Sequence, residues 1–405
     1  MHRMSGSQVA YIGLMVGCGT RDEVPKVNGL AHYVEHCVFK GCRTEKGHDL
    51  TARQIINRIE GIGGDINAYT TKEETTFYAA TPVEHFAQTL QLMTGLVLRP
   101  TFPKKETDKE VGVILDEIDS YEDSPSELIY DDFESLVFSG HPLGQPILGT
   151  RKTLRTISSS PEYAGNWVKQ HFTPERIVVF SQGAIGFEHV CRLVEKALGN
   201  AEAAFEDTGV KRQVFDASQH AENERVRSFK RHTHQTHVML GGRAYKLGHK
   251  DQLAMYLLNN ILGGGSLNSR LNLSLREQKG LVYTIESQYV PLSDTGYWSV
   301  YFATEPHQRE QCTELVLREL RRLCEERLSS LQLQRALMQL HGQMAISAEN
   351  QENNVLAMGK QMMYYGSAPT WEETFARLEQ TSADDLQRVA NELLREDTLY
   401  TILYV

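Results

Sequence analysis

The sequence predicts an α+β fold built twice: two homologous domains, each a largely antiparallel sheet packed with helices on one face. Three observations carry this. Asp65–Thr81 (DINAYTTKEETTFYAAT) reads as two strands around a turn near Lys72–Glu74, and the helical stretch Val83–Leu98 follows. Tyr283–Thr304 reads as a second strand pair, TIESQYV and GYWSVYFAT, around a Ser-Asp-Thr-Gly turn, and Glu310–Leu328 follows it as a helix. The phrases FYAATPVEH and VYFATEPHQ then fall at matching points of the two halves, as a duplication would leave them. So long a period means paired domains rather than a solenoid.

Taken in order, the remaining elements fill the same plan. Thr51–Ile62, Glu106–Asp123, Ser126–Phe138, Ser160–His171 and Leu331–Met344 carry the apolar spacing of helices. Arg176–Gln182 (RIVVFSQ) and Thr236–Gly241 (THVMLG) read as strands. From about Ala201 to Asn223 apolar residues are few, which marks a linker. The expected division is an N-terminal domain at 1–205, a linker at 206–223 and a C-terminal domain at 224–405.

Composition narrows the function. The chain has 405 residues, 40% hydrophobic and 23% charged, an ordinary globular balance with room for about two or three domains. A net charge of −10 disfavours nucleic-acid binding, which needs a basic patch. No run of 18 apolar residues offers a membrane span. The first residues, with Arg3 as the only early positive side chain and glycines breaking the apolar stretch, make a poor signal peptide. The six cysteines form no CxxC pair and fit reduced, packed thiols. A bacterial cytoplasm is the expected location.

His32-Tyr-Val-Glu35-His36 is the most informative stretch. Imidazoles four residues apart project from one helix face, with Glu35 between them. Two neutral imidazoles are good zinc ligands, and a neighbouring carboxylate that does not bind metal can take a proton from metal-bound water. The order H-x-x-E-H is the inverzincin signature. Cys37 points about 100° away from His36 and reads as a packing residue. A catalytic zinc needs a third protein ligand. Glu110 and Glu117 lie seven apart on one helix face, so one can ligate while the other holds a ligand imidazole; spacing does not say which.

Six segments carry a resemblance: GLAHYVEHCVFKG (29–41), GGDINAYTTKEETTFYA (63–79), KEVGVILDEIDSYEDSP (109–125), HPLGQPILG (141–149), NNILGGGSLNSRL (259–271) and LREQKGLVYTIES (275–287). Together they resemble the pitrilysin and insulin-degrading-enzyme clan, closest to its mitochondrial processing peptidases and small bacterial homologues. The resemblance implies a zinc metalloendopeptidase with one zinc per chain. It implies Glu117 as third ligand, Glu110 in support, Tyr283 stabilising the tetrahedral intermediate and Arg276 holding the substrate backbone. It implies Asn67, Ala68, Tyr69 and Thr70 as a substrate-binding edge strand, to which an extended peptide adds by backbone hydrogen bonds. It also implies a chamber formed by two such chains, hence a homodimer that takes unfolded peptides. Members of the clan begin with a further strand pair ahead of the segment matching VAYIGLMVGCGTRDE, so the expectation is either a trimmed start or a sheet edge short of a strand.

Other features have plainer readings. His232, His234 and His237 alternate along a strand and read as solvated. Gly263-Gly264-Gly265-Ser266 lacks the Gly-Lys-Ser/Thr ending of a phosphate loop and reads as a tight turn. His141 reads as structural. Glu106–Glu134 holds twelve acidic residues and one base, Lys109; an exposed face of that kind would favour basic peptides. Two other functions compete: a non-catalytic scaffold subunit, and a peptide-binding module with structural zinc, which would need a fourth protein ligand.

Overall fold

The computed structural model describes residues 1–3, 6–160, 162–198, 212–216, 224–231 and 233–405. The chain divides into two compact units. The first comprises 1–119, 145–213 and 348–368; the second comprises 120–144, 214–347 and 369–405.

The sheet of the first unit runs His2–Arg3, Ile177–Gly183, Val9–Val16, Thr75–Pro82, Asp65–Thr70. All neighbours are antiparallel except His2–Arg3, which lies parallel to Ile177–Gly183. The sheet of the second unit runs Val226–Phe229, Tyr400–Tyr404, Thr236–Arg243, Gly296–Thr304, Val282–Pro291. Again only the first pair is parallel. Order and direction repeat position by position, so the expected duplication is visible in the sheets. The edge expected to lack a strand is occupied by two residues, His2–Arg3, where the other sheet has four.

Strand pleating sends alternate side chains to opposite faces. In Val9–Val16, Leu14 and Val16 join a core with the helices Leu30–Val38 and Phe86–Leu98, while Ala10 and Ile12 pack with Phe86, Leu90 and Val190. Met15, on the other face, meets Phe180 and Val355. Val355 belongs to the helix Gln351–Tyr365, which covers that second face. Gly13 and Gly359 make room for the Phe180 ring: a Cβ on either would lie within 2.6 Å of it.

The second unit follows the same logic. Val238, Leu240 and Val300 pack with helices Gln252–Gly263, Arg309–Glu325 and Ala383–Leu393. Met239, Tyr297 and Tyr301 face the helix Pro125–Val137 through Ile129, Phe133 and Val137. Among the described residues, each sheet therefore has a helical layer on one face and a single covering helix on the other.

Those covering helices change the expected division at 205/224. Residues 120–144 group with the second unit and 348–368 with the first. The physical reason is that each sheet's second face is apolar and needs a cover, and in both cases the cover comes from the other half of the sequence. Most of the expected linker, 206–223, lies outside the described residues. Within it, Arg212 bonds Asp22 in the first unit, and the Phe215 N–H bonds Asp294 in the second.

Most expected elements are present with shifted ends. Leu331–Met344 lies within Ser330–Glu349, which runs on past its C-terminal end, and Val83–Leu98 opens with a 3-10 turn before Phe86–Leu98. The turn Lys72–Glu74 is found, and its charged side chains are buried. Gly263 ends a helix, as a turn residue should.

Candidate metal centre

The helix Leu30–Val38 begins after Gly29, whose φ of 91° is left-handed. A Cβ there would also meet the Leu148 carbonyl oxygen at 2.7 Å, so glycine is needed twice over. The N–H groups of the helix start that have no partner within the helix are met by the buried Glu23. Its Oε2 accepts from the Gly29 N–H at 2.8 Å and from Asn28 Nδ2 at 2.9 Å, and its Oε1 accepts from the Ala31 N–H at 2.7 Å. A carboxylate suits the positive end of the helix dipole. Burial pushes its pKa up to about 8, against the pull of those three donors.

One turn apart on this helix, the rings of His32 and His36 have centroids 4.6 Å apart. Glu117 reaches them from the helix Lys104–Glu122. Its Oε2 lies 3.7 Å from His32 Nε2 and 3.7 Å from His36 Nε2. One donor atom from each of the three residues lies within 4.8 Å of the others, and they are the only such cluster of three or more among the described residues. Ligands at ordinary zinc–nitrogen and zinc–oxygen lengths on a tetrahedron stand about 3.3–3.5 Å apart. The arrangement therefore fits zinc with little movement, and the His-His-Glu set leaves a fourth position open.

The protonation pattern agrees. Glu110 Oε2 lies 3.3 Å from His36 Nδ1, and Lys40 Nζ sits 2.9 Å from Glu110 Oε1. A carboxylate can only accept, so Nδ1 carries a hydrogen toward Glu110, and Nε2 is the ring nitrogen that faces Glu117. Burial, helped by His36, lowers the His32 pKa to about 3 and keeps that ring neutral. His32 Nδ1 is buried without a hydrogen-bond partner.

Glu35 stands beside the cluster, almost fully buried. Thr70 Oγ1 donates to its Oε2 at 2.5 Å. Burial raises the Glu35 pKa, with the Glu117 charge adding and Thr70 and His36 opposing. Cys37 is buried in the apolar core and takes no part.

Asn67, Ala68, Tyr69 and Thr70 lie in Asp65–Thr70, the edge strand of the first sheet, paired among the described residues only with Thr75–Pro82. Arg276 and Tyr283 belong to the second unit. Arg276 sits in a π-helical turn, Asn272–Glu277, and its guanidinium carbon lies 5.6 Å from the centre of the Tyr283 ring. The ladder slips between Val282 and Ile285, a bulge that re-aims side chains, and Tyr283 is 80% exposed. His237 bonds the Tyr301 hydroxyl at 2.9 Å and stacks on that ring, which accounts for it structurally; His232 lies outside the described residues. Sequence reasoning missed Glu23 and the link from Thr70 to Glu35. An acid ahead of a helix start was the available signal for Glu23.

Comparison with known proteins agrees with a peptidase scaffold. Residues 2–151 match the family model described as Insulinase (Peptidase family M16), and residues 160–340 match the one described as Peptidase M16 inactive domain. The chain is 32% identical to the uncharacterized zinc protease YmxG of Bacillus subtilis, over 95% of its own length and 90% of that protein. It is 30% identical to the uncharacterized zinc protease SCO5738 of Streptomyces coelicolor, over 95% and 82%. Its fold matches a Helicobacter pylori protease structure with a TM-score of 0.89 at 19% identity, covering 98% of this chain and 94% of that one. It also matches a peptidase M16 inactive domain structure from Pseudomonas fluorescens at 0.85 and 19%, covering 99% and 93%. The chain belongs to peptidase family M16, the insulinase family, as the resemblance to the pitrilysin clan implied. No helix among the described residues is long and apolar enough to cross a membrane.

Proposed function

We propose that this chain is a zinc endopeptidase acting on unstructured peptides. The observation that carries the reading is the convergence of His32, His36 and Glu117 within 4.8 Å beside the buried Glu35. The three would hold one zinc per chain, with Glu110 orienting His36. When bound, zinc lowers the pKa of its water and polarises a carbonyl.

The chain's own residues do the rest. Glu35 accepts a proton from the attacking water and returns it to the leaving amine. The Tyr283 hydroxyl donates to the oxygen that gains negative charge, and Arg276 holds the substrate backbone. The open edge of Asp65–Thr70 receives an extended peptide through backbone hydrogen bonds, which suits unfolded substrates of varied sequence. Two chains enclose the substrate as a homodimer. A structural zinc would need a fourth protein ligand, and none joins the cluster among the described residues.

A fluorogenic unstructured peptide, assayed beside zinc content, tests this. The zinc-loaded protein should hydrolyse it, and Glu35→Gln should retain zinc without turnover. Activity in Glu35→Gln, or a zinc-loaded wild type that cleaves nothing, contradicts the proposal. The acidic Glu106–Glu134 segment adds a preference for basic peptides. Raising salt should raise KM for those selectively, and an unchanged KM would count against it.

A further inference from the structure

We infer that Thr70 is a positioning residue for Glu35: its hydroxyl fixes the carboxylate so that one oxygen is held and the other is left to receive the proton. This rests on the peptidase reading above.

The geometry is specific. Thr70 Oγ1 donates to Glu35 Oε2 at 2.5 Å, and no other hydrogen bond to Glu35 is made among the described residues. The second oxygen is therefore the free acceptor. Glu35 has three side-chain torsions, and only this bond and packing select among their rotamers. A base that wanders by about 1 Å can lose on the order of 100-fold in rate, so one short hydrogen bond to a fixed donor matters.

Thr70 is itself a fixed donor. It ends the strand Asp65–Thr70 opposite Thr75, and the turn between them is closed by the Thr71 N–H to the Glu74 carbonyl at 2.8 Å. The turn is held from three sides by groups of the same unit. The Thr20 and Arg21 N–H groups donate to the Thr71 and Lys72 carbonyls. The fully buried Arg21 pairs with Glu73 at 2.6 Å. Lys360 pairs with Glu74 at 2.7 Å, and the Tyr364 hydroxyl donates to Glu74 as well. Buried charges on a tight turn are costly unless paired. Here each one named has its partner, so the turn and the hydroxyl beside it keep one place. Thr70 thus acts through its side chain on the proposed base, apart from any backbone role on the strand edge.

The test compares wild type, Thr70→Val and Thr70→Ser for zinc content, melting temperature, kcat and KM on the fluorogenic peptide, with crystal structures of wild type and Thr70→Val. Thr70→Val should keep zinc and stability. Its kcat should fall about 10- to 100-fold while KM changes less than about threefold. Thr70→Ser, which restores the hydroxyl, should recover most of kcat, and Glu35 should leave its single orientation in the Thr70→Val crystal. Wild-type kcat in Thr70→Val, a loss confined to KM, or an unmoved Glu35 in the crystal overturns the inference. An inactive zinc-loaded wild type would instead fail the peptidase reading, and the Glu35 orientation would still decide the role of Thr70.

Discussion

Three side chains on one face of a nine-residue helix, His32, Glu35 and His36, carry most of the proposed chemistry; their spacing singled them out, and the surrounding segments turned that spacing into a metal reading. The helical period is local physics, so i and i+4 could be paired without knowing the fold. Glu117 was different. Sequence spacing left it level with Glu110, and only the resemblance ranked them. The fold separates them physically, since Glu117 faces both Nε2 atoms while Glu110 faces Nδ1 of His36. The hydroxyl of Thr70 escaped notice because its partner, Glu35, lies on another element 35 residues away, whereas Glu23 had a local signal in its place ahead of the helix start. At this scale Tyr283→Phe should lower kcat by about 100-fold or more with zinc content unchanged, if its hydroxyl stabilises developing charge. Steady-state kinetics beside metal analysis would check it, and an unaltered kcat would remove Tyr283 from the mechanism.

At the scale of elements, the metal-bearing helix depends on its start. Glu23→Ala would leave the buried Gly29 and Ala31 N–H groups without their acceptor. The loss should be about 1–3 kcal/mol of stability, with weaker zinc retention, read by chemical denaturation and metal titration. The covering helices were partly legible. Ser126–Phe138 was read as a helix, but its assignment to the second sheet was not, because periodicity shows that a face is apolar without showing what it meets. Phe133 is fully buried there, its ring 6.0 Å from that of Tyr297. Phe133→Ala should cost about 3–5 kcal/mol by denaturation, and a loss below about 1 kcal/mol would contradict the packing described.

His171 gives the helix Glu162–His171 a pH dependence. Burial lowers its pKa to about 4, and Arg176 donates to its Nδ1 at 3.2 Å, which requires a neutral ring. The unfolded chain then binds more protons than the folded one between about 6.5 and 4, so stability rises with pH across that window and is lost as pH falls through it. The upper limit is about 3 kcal/mol. Melting curves of wild type and His171→Phe should diverge in pH dependence below about pH 6.5; parallel curves would contradict the assignment.

On the scale of the whole molecule, the duplication was legible because strand pairs followed by helices recur as patterns, and the two sheets share order and direction. The exchange of covering helices was not, since it joins segments more than 100 residues apart in the chain. Both halves keep the same sheet, yet the three-residue donor cluster lies in the first alone among the described residues. One zinc per chain is the expectation that follows. The most direct test of the central claim is anomalous diffraction at the zinc edge from crystals grown with zinc. The account predicts one peak per chain, bonded to His32 Nε2, His36 Nε2 and a Glu117 oxygen; a peak elsewhere, or Glu117 turned away from the two rings, would contradict it.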